Sequence, residues 1–284
     1  MGSNSTWGTK LVNKYHAMIL DSFLFFNEYN ILEGRLEYLY NKVDYFLISE
    51  TNYTHTGNLK PFNFLNAMPR YKKYLDKVLY LPYDTDPSKY DFSIKPTKWD
   101  PNCPQMLMDN AQRNNLKRGY EMFDEDCIMM MSDLDEIPTI EGIDRAIDVL
   151  NQGQDAVLSL QDLFYYNFNQ KWDLLWPGTA IAKNKLFLQH GPQWVRDNRT
   201  AFYKLYYSGY HLSYWGSAES IKTKIQNTAH AELNLPEFSN MESIKDKVKN
   251  GLDLYGRPNT LIPVDPVSIL PEVYNVFNKY QNVI

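Results

Sequence analysis

The 284-residue sequence predicts an α/β fold with one Rossmann-like mixed sheet and a β-rich second half. A strand over 16–23, a helix over 28–41 and a strand over 45–50 follow one another, which is the pattern of a βαβ unit with parallel strands. The apolar run 127–131 ends in acidic residues and a proline, as a buried strand of such a sheet does. After residue 155, strand-like segments follow without a helix-length spacer, which indicates direct pairing.

Periodicity and proline positions predict the other elements in chain order. The segment 77–82 is a short strand, and the proline-rich stretch 83–104 is a surface connection that leads to a helix over 105–123. The later elements are a helix over 140–151, paired strands over 156–160 and 164–168, a strand over 179–182 after the turn Trp176-Pro177-Gly178, a strand over 209–215, and helices over 217–233 and near 240–250.

No repeat or linker divides the chain, so we expect a single domain over 1–284. Its nucleotide-binding half covers about 15–138, its acceptor and catalytic half about 139–235, and a C-terminal extension about 236–284. Two cysteines are too few for a disulfide-rich scaffold; free thiols are the expectation and a bridge between them is the alternative.

Composition excludes two broad classes of protein. A net charge of −5 at pH 7 argues against a nucleic-acid binder, which requires a basic surface. The sequence contains no run of apolar residues long enough to cross a bilayer, so we expect no membrane span. The first residues also lack the basic and apolar regions of a signal peptide, which favours a cytoplasmic protein, with a trimmed luminal domain as the alternative.

The acidic residues after the run 127–131 are the strongest functional signal. Ligands of α/β sheets bind at the carboxyl ends of the strands. Asp133 and Asp135 are two positions apart, so in an extended chain both side chains point the same way. Carboxylate oxygens suit Mg²⁺ or Mn²⁺ shared with a phosphate. The other interpretation is an acidic loop whose carboxylates are solvated or cap a helix, and Glu136 fits that interpretation as well as the first.

Further motifs occur in order across residues 16–235. They are Asn27-Glu28 with Leu32 and Arg35, Ser49-Glu50-Thr51-Asn52-Tyr53-Thr54, Gly57 with Lys60-Pro61 and Phe64, Gln112-Arg113-Asn114, Ser132-Asp133-Leu134-Asp135-Glu136-Ile137-Pro138, Pro177-Gly178-Thr179 and Gly209-Tyr210-His211-Leu212-Ser213. The ordered set resembles glycosyltransferase family 17, whose members have a GT-A fold. One departure is that Tyr210, Leu212 and Tyr214 stand where vertebrate members carry tryptophan and cysteines.

The resemblance implies an inverting, metal-dependent transferase that moves a sugar from a UDP-sugar to a hydroxyl of a glycan or glycoprotein acceptor. UDP-GlcNAc is the family's default donor; UDP-xylose, UDP-glucose and UDP-galactose are alternatives, as is a sugar-binding module without catalytic activity. The implied cofactor is Mn²⁺ or Mg²⁺. A metal-dependent phosphatase is excluded because its D-x-D motif lies on an early strand, whereas Asp133 and Asp135 lie mid-chain.

The resemblance also implies roles for single residues. Asp135 is the expected metal ligand, with Asp133 on the ribose or on the metal's water shell. His211 is either a further metal ligand or a histidine of the core. The expected nucleotide and donor-sugar contacts are Glu28, Arg35, Glu50, Arg113, Gly178 and Thr179, with a solvated strand end as the alternative for Glu50 and a salt bridge as the alternative for Arg35 and Arg113.

An inverting transferase needs a carboxylate that removes the proton from the acceptor hydroxyl. The resemblance favours Glu219, at the start of the helix after the histidine strand, although a glutamate there also fits a helix cap. Asp197 and Glu232 are the other candidates. Trp194, Trp215 and Tyr214 fit either an acceptor-binding platform or core packing.

Overall fold

A nine-stranded mixed sheet runs through the computed structural model, which describes residues 17–93, 96–257 and 261–281. The strands are β1 (Ile19–Leu24), β2 (Tyr45–Thr51), β3 (Val78–Tyr83), β4 (Ile128–Asp133), β5 (Glu136–Pro138), β6 (Ala156–Tyr165), β7 (Gln170–Lys183), β8 (Tyr203–Ser213) and β9 (Leu261–Pro263). Their order in the sheet is β3-β2-β1-β4-β7-β6-β8-β5, with β9 paired to β7. The predicted α/β class is confirmed.

Eleven α-helices in the described ranges accompany the sheet. They are α1 (Tyr29–Leu39), α2 (Asn63–Ala67), α3 (Pro104–Asn114), α4 (Lys117–Tyr120), α5 (Ile140–Asn151), α6 (Asn184–His190), α7 (Pro192–Asn198), α8 (Ala218–Asn227), α9 (Pro236–Ser239), α10 (Met241–Asn250) and α11 (Pro271–Phe277). No helix within these ranges is long and apolar enough to cross a membrane.

Strands β3, β2, β1 and β4 are parallel neighbours and carry their carboxyl ends to one edge of the sheet. Leu24 at the end of β1 lies opposite Asp133 of β4 and Ser49 of β2. Segments that follow β1, β2 and β4 therefore meet at this edge, which is the usual ligand-binding edge of a parallel sheet.

The sheet curls between β4 and β5. Only Leu134 and Asp135 separate these strands in the chain, yet β7, β6 and β8 lie between them in the sheet. Strand β5 pairs antiparallel with β8, with Glu136 opposite His211. The Leu212 N–H donates to the Asp135 carbonyl over 2.8 Å. The short strand β5 thus brings the D-x-D segment, Asp133-Leu134-Asp135, next to the histidine strand β8, which carries His211.

Two predicted features of the second half are wrong. The segments 156–160 and 164–168 are not a hairpin; residues 156–165 form one strand, β6, whose antiparallel partner is β7. Trp176-Pro177-Gly178 is not a turn but part of β7, with Pro177 opposite Leu160. The pairing shifts register beside Leu160, and proline is tolerated in strands at such irregularities.

Helix boundaries follow their capping residues. The predicted helix over 140–151 is confirmed as α5, and Thr139 caps it by accepting from the Gly142 N–H at 3.0 Å. Ser217 caps α8 in the same way, accepting from Ser220 N–H at 3.2 Å. The helix predicted over 217–233 ends earlier, at Asn227. The first predicted strand starts later, at Ile19, and His16 lies outside the described residues.

Apolar side chains cover both faces of the parallel strands. Alternate residues of a strand point to opposite faces, and accordingly Phe23 and Met130 pack into one core cluster while Leu20 and Met129 pack into another. Cys103 and Cys127 are buried free thiols, as expected.

Arg35 of α1 is fully buried beneath the β4–β5 junction. Its guanidinium makes two hydrogen bonds to the Asp21 carboxylate, at 2.8 and 2.7 Å. Nη1 also donates to the carbonyls of Asp133, Leu134 and Glu136 at 2.9–3.0 Å, and Nη2 donates to the Ser132 hydroxyl. This corrects the prediction that Arg35 binds the nucleotide: its donors are used to hold the backbone of the D-x-D segment.

We expect Arg35→Met to lower the free energy of unfolding by about 3–5 kcal/mol, because it leaves the Asp21 carboxylate buried without its counter-ion. Arg70→Met is the matched control: Arg70 pairs with Glu33 near the surface, so its loss should cost about 1 kcal/mol or less. Urea unfolding measures both. Equal effects of the two substitutions would contradict the role given to Arg35.

Candidate active site

A cleft of about 520 Å³ opens at the carboxyl edge of β1, β2 and β4. On one side it is lined by residues that follow β1 and β2 and by α3; on the other it is lined by β6, β7, β8 and the segment after α8. Asp133 and Asp135 lie between the two sides, together with His211. The cleft therefore joins the two predicted halves of the chain at the D-x-D segment.

Asp133 is held by two arginines. Arg113 Nη2 donates to its Oδ1 at 3.1 Å and Arg196 Nη2 to its Oδ2 at 2.5 Å. Burial alone raises the pKa of the Asp133 carboxyl, but the charges of Arg196 and Arg113 outweigh burial and hold the pKa below its usual range. Asp133 is therefore ionised at neutral pH, and its carboxylate links α3 to α7.

Glu136 is fully buried and acts as an internal anchor. It accepts from both Nη atoms of Arg196, from Trp176 Nε1 at 2.7 Å and from the Asp133 N–H at 2.9 Å. It caps no helix, since Thr139 caps α5. Glu136 therefore fixes both the backbone of Asp133 and the arginine that pairs with it.

Asp135 lies between a lysine and a histidine. Lys224 Nζ donates to Oδ2 at 2.7 Å, and His211 Nε2 lies 3.4 Å from Oδ1. Burial alone raises the pKa of the Asp135 carboxyl, but the charge of Lys224 and the contact with His211 outweigh it and lower the pKa. Burial also disfavours the charged Lys224, yet Asp135 raises its pKa above the usual range. Both members of the pair are charged at neutral pH.

The donor atoms around Asp135 fit a divalent ion that is shared with a substrate. Two ligands about 2.1 Å from an octahedral ion stand about 3 Å apart, close to the 3.4 Å between Asp135 Oδ1 and His211 Nε2. No group of three or more His, Cys, Asp or Glu side chains in the described ranges could hold a metal without help. His211 Nδ1 is buried and has no hydrogen-bond partner among the described residues. Phosphate oxygens and water would thus complete such a site.

The predicted nucleotide contacts divide into two groups. Glu28 and Arg113 line the cleft, and the Glu28 carboxylate accepts from the Asn27 N–H. Glu50 does not: it is fully buried and accepts from Lys60 Nζ, Tyr80 Oη and the backbone N–H groups of α2. This corrects the prediction for Glu50, whose carboxylate binds the start of a short helix instead of a nucleotide.

Gly178 and Thr179 are also not among the residues that line the cleft. Both are buried in β7, where Thr179 Oγ1 accepts from Gln161 Nε2 at 3.1 Å. A Cβ atom on Gly178 would lie 2.3 Å from Gln161 Oε1, so a larger residue there would have to displace the buried Gln161 amide of β6. The predicted sugar contact of these two residues is therefore replaced by a packing role; Trp176 of the same strand lines the cleft.

Of the three candidate bases, Asp197 lines the cleft. Its Oδ1 accepts from Gln193 Nε2 at 2.8 Å. Glu219 lies in the first turn of α8 with its carboxylate exposed, and is not among the lining residues. Glu232 pairs with His230 Nδ1 at 2.8 Å and is likewise not among the lining residues. Glu219, the base that the resemblance favours, is therefore not brought to the cleft lining, although Lys224 and Asn227 of the same helix are.

Sequence reasoning missed four cations of the cleft, Arg196, Arg199, Lys224 and Arg257. Arg196 and Arg199 are three positions apart on α7 and the turn after it, a spacing that puts basic side chains on one face. Burial, and next the charge of Arg196, lower the pKa of Arg199 to about 10. Arg199 donates to the carbonyls of Pro177 and Arg196, so it joins β7 to α7.

One part of the cleft lining is an aromatic wall, formed by Tyr165, Trp172, Tyr214 and Tyr255. Tyr165 stacks on Trp172 with ring centroids 5.9 Å apart, and the Arg257 guanidinium lies 4.7 Å from the Trp172 centroid. Tyr214 Oη bonds to Tyr255 Oη at 2.5 Å. Of the predicted platform only Tyr214 lines the cleft. Trp215 is buried and donates to a backbone carbonyl, whereas Trp194 stacks on His190 outside the cleft.

Asp253 supports this aromatic wall through Arg257, with Nη2 to Oδ2 at 2.6 Å. Burial alone raises the pKa of Asp253, but hydrogen bonds and the charge of Arg257 lower it overall. Because the folded pKa lies below the unfolded value of about 3.9, this contribution to stability is present above that pH and is lost as pH falls further. We therefore expect the unfolding free-energy difference between wild type and Asp253→Asn to shrink below about pH 4.

Urea unfolding at a series of pH values measures that difference. The same substitution in an Arg257→Met background is the control, and should show a weaker pH dependence because the lowering charge is absent. A difference that is the same at about pH 6 and about pH 3 would contradict the role of Arg257.

Comparisons with solved structures give weak similarity. Glucosyl-3-phosphoglycerate synthase from Mycobacterium tuberculosis, in complex with Mn²⁺ and UDP-glucose, is 13% identical with a TM-score of 0.36, covering 69% of this chain and 71% of that chain. 4-Diphosphocytidyl-2C-methyl-D-erythritol synthase from Anaerococcus prevotii is 10% identical with a TM-score of 0.40, covering 68% and 87%. Scores at this level carry no argument about function. None of the curated proteins compared with this chain matches it.

The comparison with protein families is decisive. The model of glycosyltransferase family 17 matches residues 4–264, which is most of the chain. The match includes the D-x-D segment, the histidine strand and both sides of the cleft. The family predicted from the ordered motifs is confirmed. The chain belongs to glycosyltransferase family 17 and is a glycosyltransferase.

Proposed function

We propose that this glycosyltransferase uses a divalent ion to transfer a sugar from a UDP-sugar to a glycan hydroxyl, with inversion at the anomeric carbon. The observation that carries the proposal is the position of Asp135: its carboxylate lies beside His211 at the ligand-binding edge of the sheet. UDP-GlcNAc is the proposed donor, on the precedent of the family.

The two sides of the cleft suit the two substrates. Arg113 and Glu28 lie on the side formed by residues after β1 and by α3, where we place the nucleotide. The aromatic wall with Trp172 and Tyr214 lies on the other side, where we place the acceptor. Flat apolar rings with a polar edge stack against the C–H faces of sugars, which favours a glycan there.

We assign Asp135 and His211 as the residues that would hold Mn²⁺ or Mg²⁺. When bound, such an ion neutralises the diphosphate and stabilises UDP as the leaving group. Asp133, fixed by Arg113 and Arg196, is placed to accept hydrogen bonds from the ribose hydroxyls. The arginines keep this carboxylate ionised and oriented without help from the substrate.

We assign Asp197 as the general base. An inverting transfer needs a carboxylate that takes the proton from the acceptor hydroxyl while its oxygen attacks the anomeric carbon. Asp197 is the candidate whose side chain lines the cleft, and Gln193 orients it through a hydrogen bond.

The donor site is tested with UDP-GlcNAc and Mn²⁺ by calorimetry. Asp135→Ala should weaken Mn²⁺-dependent binding about tenfold or more, which is about 1.4 kcal/mol, because a ligand of the ion is lost. Glu219→Ala is the matched control, since Glu219 lies outside the cleft, and should bind like wild type. Equal, metal-independent binding by wild type and Asp135→Ala would contradict the proposal.

Donor choice is read by repeating the binding and hydrolysis assays with UDP-xylose, UDP-glucose and UDP-galactose. We expect UDP-GlcNAc to bind most tightly and to be hydrolysed fastest. Tighter binding of another donor would correct the sugar but retain the transferase mechanism. Binding without hydrolysis or transfer of any donor would instead identify a sugar-binding module.

The base is tested by a pair of charge-removing substitutions. Asp197→Asn should keep UDP-GlcNAc affinity but reduce kcat about 10²–10⁴-fold, because the proton of the acceptor hydroxyl loses its acceptor. Glu219→Gln should retain transfer, since that carboxylate lies outside the cleft. Steady-state kinetics with a glycan acceptor separate the two cases, and loss of transfer in Glu219→Gln alone would move the base to α8.

A further inference from the structure

Asp135 has a cationic partner supplied by the protein itself. Lys224 Nζ donates to Oδ2 over 2.7 Å, and His211 Nε2 faces Oδ1 over 3.4 Å. Both carboxylate oxygens therefore face nitrogen atoms. A divalent ion held between Oδ1 and His211 Nε2 would bind a carboxylate whose charge Lys224 already neutralises from Oδ2, so Lys224 and the ion compete for the same negative charge.

Lys224 reaches Asp135 from helix α8. It lies 89 positions further along the chain, on α8, where Ile221 and Ile225 are buried and fix the helix in place. The lysine side chain itself has four flexible methylene groups, so Nζ can move while the helix stays still. Movement of this one side chain is enough to release the Asp135 carboxylate.

A second position for the ammonium group is close at hand. In the position where it donates to Asp135, Nζ already lies 5.6 Å from the Tyr214 ring centroid, within reach of a cation–π contact. A cavity of about 30 Å³ adjoins it, lined by residues that include Glu28, Asp135, Tyr214 and Ser220, and has room for a group the size of water. Lys224 can thus leave Asp135 without losing all of its electrostatic partners.

Electrostatic repulsion between Lys224 and the ion determines when Lys224 leaves Asp135. A divalent ion alone would approach a carboxylate whose other oxygen already contacts an ammonium group, and two cations on one carboxylate repel each other in a partly buried site. A diphosphate brings negative charge and new acceptors for Nζ, so it removes this repulsion. The ion and the diphosphate should therefore bind together far better than the ion binds alone.

We propose that Lys224 is a built-in counter-ion that keeps divalent metal off Asp135 until the diphosphate of the donor arrives. The inference rests on the proposed function, because it takes the diphosphate of a UDP-sugar as the partner. It adds a regulatory property to the site: metal binding and donor binding are coupled through one lysine. Lys224 is in this sense a positioning residue that acts through Asp135.

The test measures Mn²⁺ binding to the full chain by electron paramagnetic resonance, with and without saturating UDP. In wild type we expect UDP to increase Mn²⁺ affinity about tenfold or more. In Lys224→Gln, Mn²⁺ affinity without UDP should rise about tenfold or more, and the effect of UDP should shrink by the same factor. Lys224→Arg, which keeps the charge, should behave like wild type.

Two controls separate competition from a general change in charge. Lys222→Gln removes a cation from the same helix and should leave Mn²⁺ binding unchanged. In the double variant Lys224→Gln with Asp135→Ala, the gain in Mn²⁺ affinity should vanish, because the released carboxylate is absent. Lys224→Met serves as a second uncharged variant, and thermal unfolding confirms that each protein is folded.

Unchanged or weaker UDP-free Mn²⁺ binding in both Lys224→Gln and Lys224→Met would overturn the inference. Tight Mn²⁺ binding to wild type without UDP would overturn it as well. Failure of the proposed function looks different, because wild type would then bind no UDP under any condition. Mn²⁺ binding without UDP can still be compared between wild type and the Lys224 variants in that case. Failure of the proposed function and failure of the role given to Lys224 are therefore distinguishable.

Discussion

The fully buried ion pair between Arg35 and Asp21 is the contact on which the active-site geometry depends. Arg35 neutralises a carboxylate of β1 and at the same time donates to three carbonyls of the β4–β5 junction. These bonds hold the chain where it leaves one part of the sheet and joins another within two residues, Leu134 and Asp135. The positions of Asp133 and Asp135 follow from that junction. Arg35, which the sequence suggests as a nucleotide ligand, thus supports the backbone of Asp133 and Asp135, the residues that we propose bind the donor.

Cations of the protein itself neutralise the two aspartates of the acidic segment. Asp133 pairs with Arg113 and Arg196, and Asp135 pairs with Lys224. These pairs keep the carboxylates ionised although burial disfavours their charge. The hydrogen bonds and the opposite charges offset the cost of removing the carboxylates from water. The two carboxylates differ in a way that matters for function. Asp133 is locked by rigid guanidinium groups, whereas Asp135 is held by a flexible ammonium group that can be exchanged for another cation.

The sequence predicts well the features that depend on local pattern. Helix α5 and the parallel strands follow from periodicity, and the acidic end of β4 is visible as a break from apolar to charged residues. The features it missed depend on contacts between distant segments. Arg196 lies 63 positions from Asp133, and no local pattern signals that they meet. Glu50 lies near the carboxyl end of a strand, where a ligand-binding residue is expected. Its oxygens instead accept from the backbone N–H groups of α2, which packs at the same edge of the sheet. In the second half of the chain, Pro177 suggests a turn, but a register shift in the pairing with β6 accommodates the proline inside β7.

In our proposal, Asp135 exchanges Lys224 for a metal ion when a diphosphate binds. Anomalous diffraction at the manganese edge, from crystals grown with Mn²⁺ and UDP, tests it directly. We expect one manganese peak that contacts Asp135 and the diphosphate, with Lys224 Nζ moved out of hydrogen-bond distance of the carboxylate. A diphosphate bound without manganese, with Lys224 still on Asp135, would contradict it.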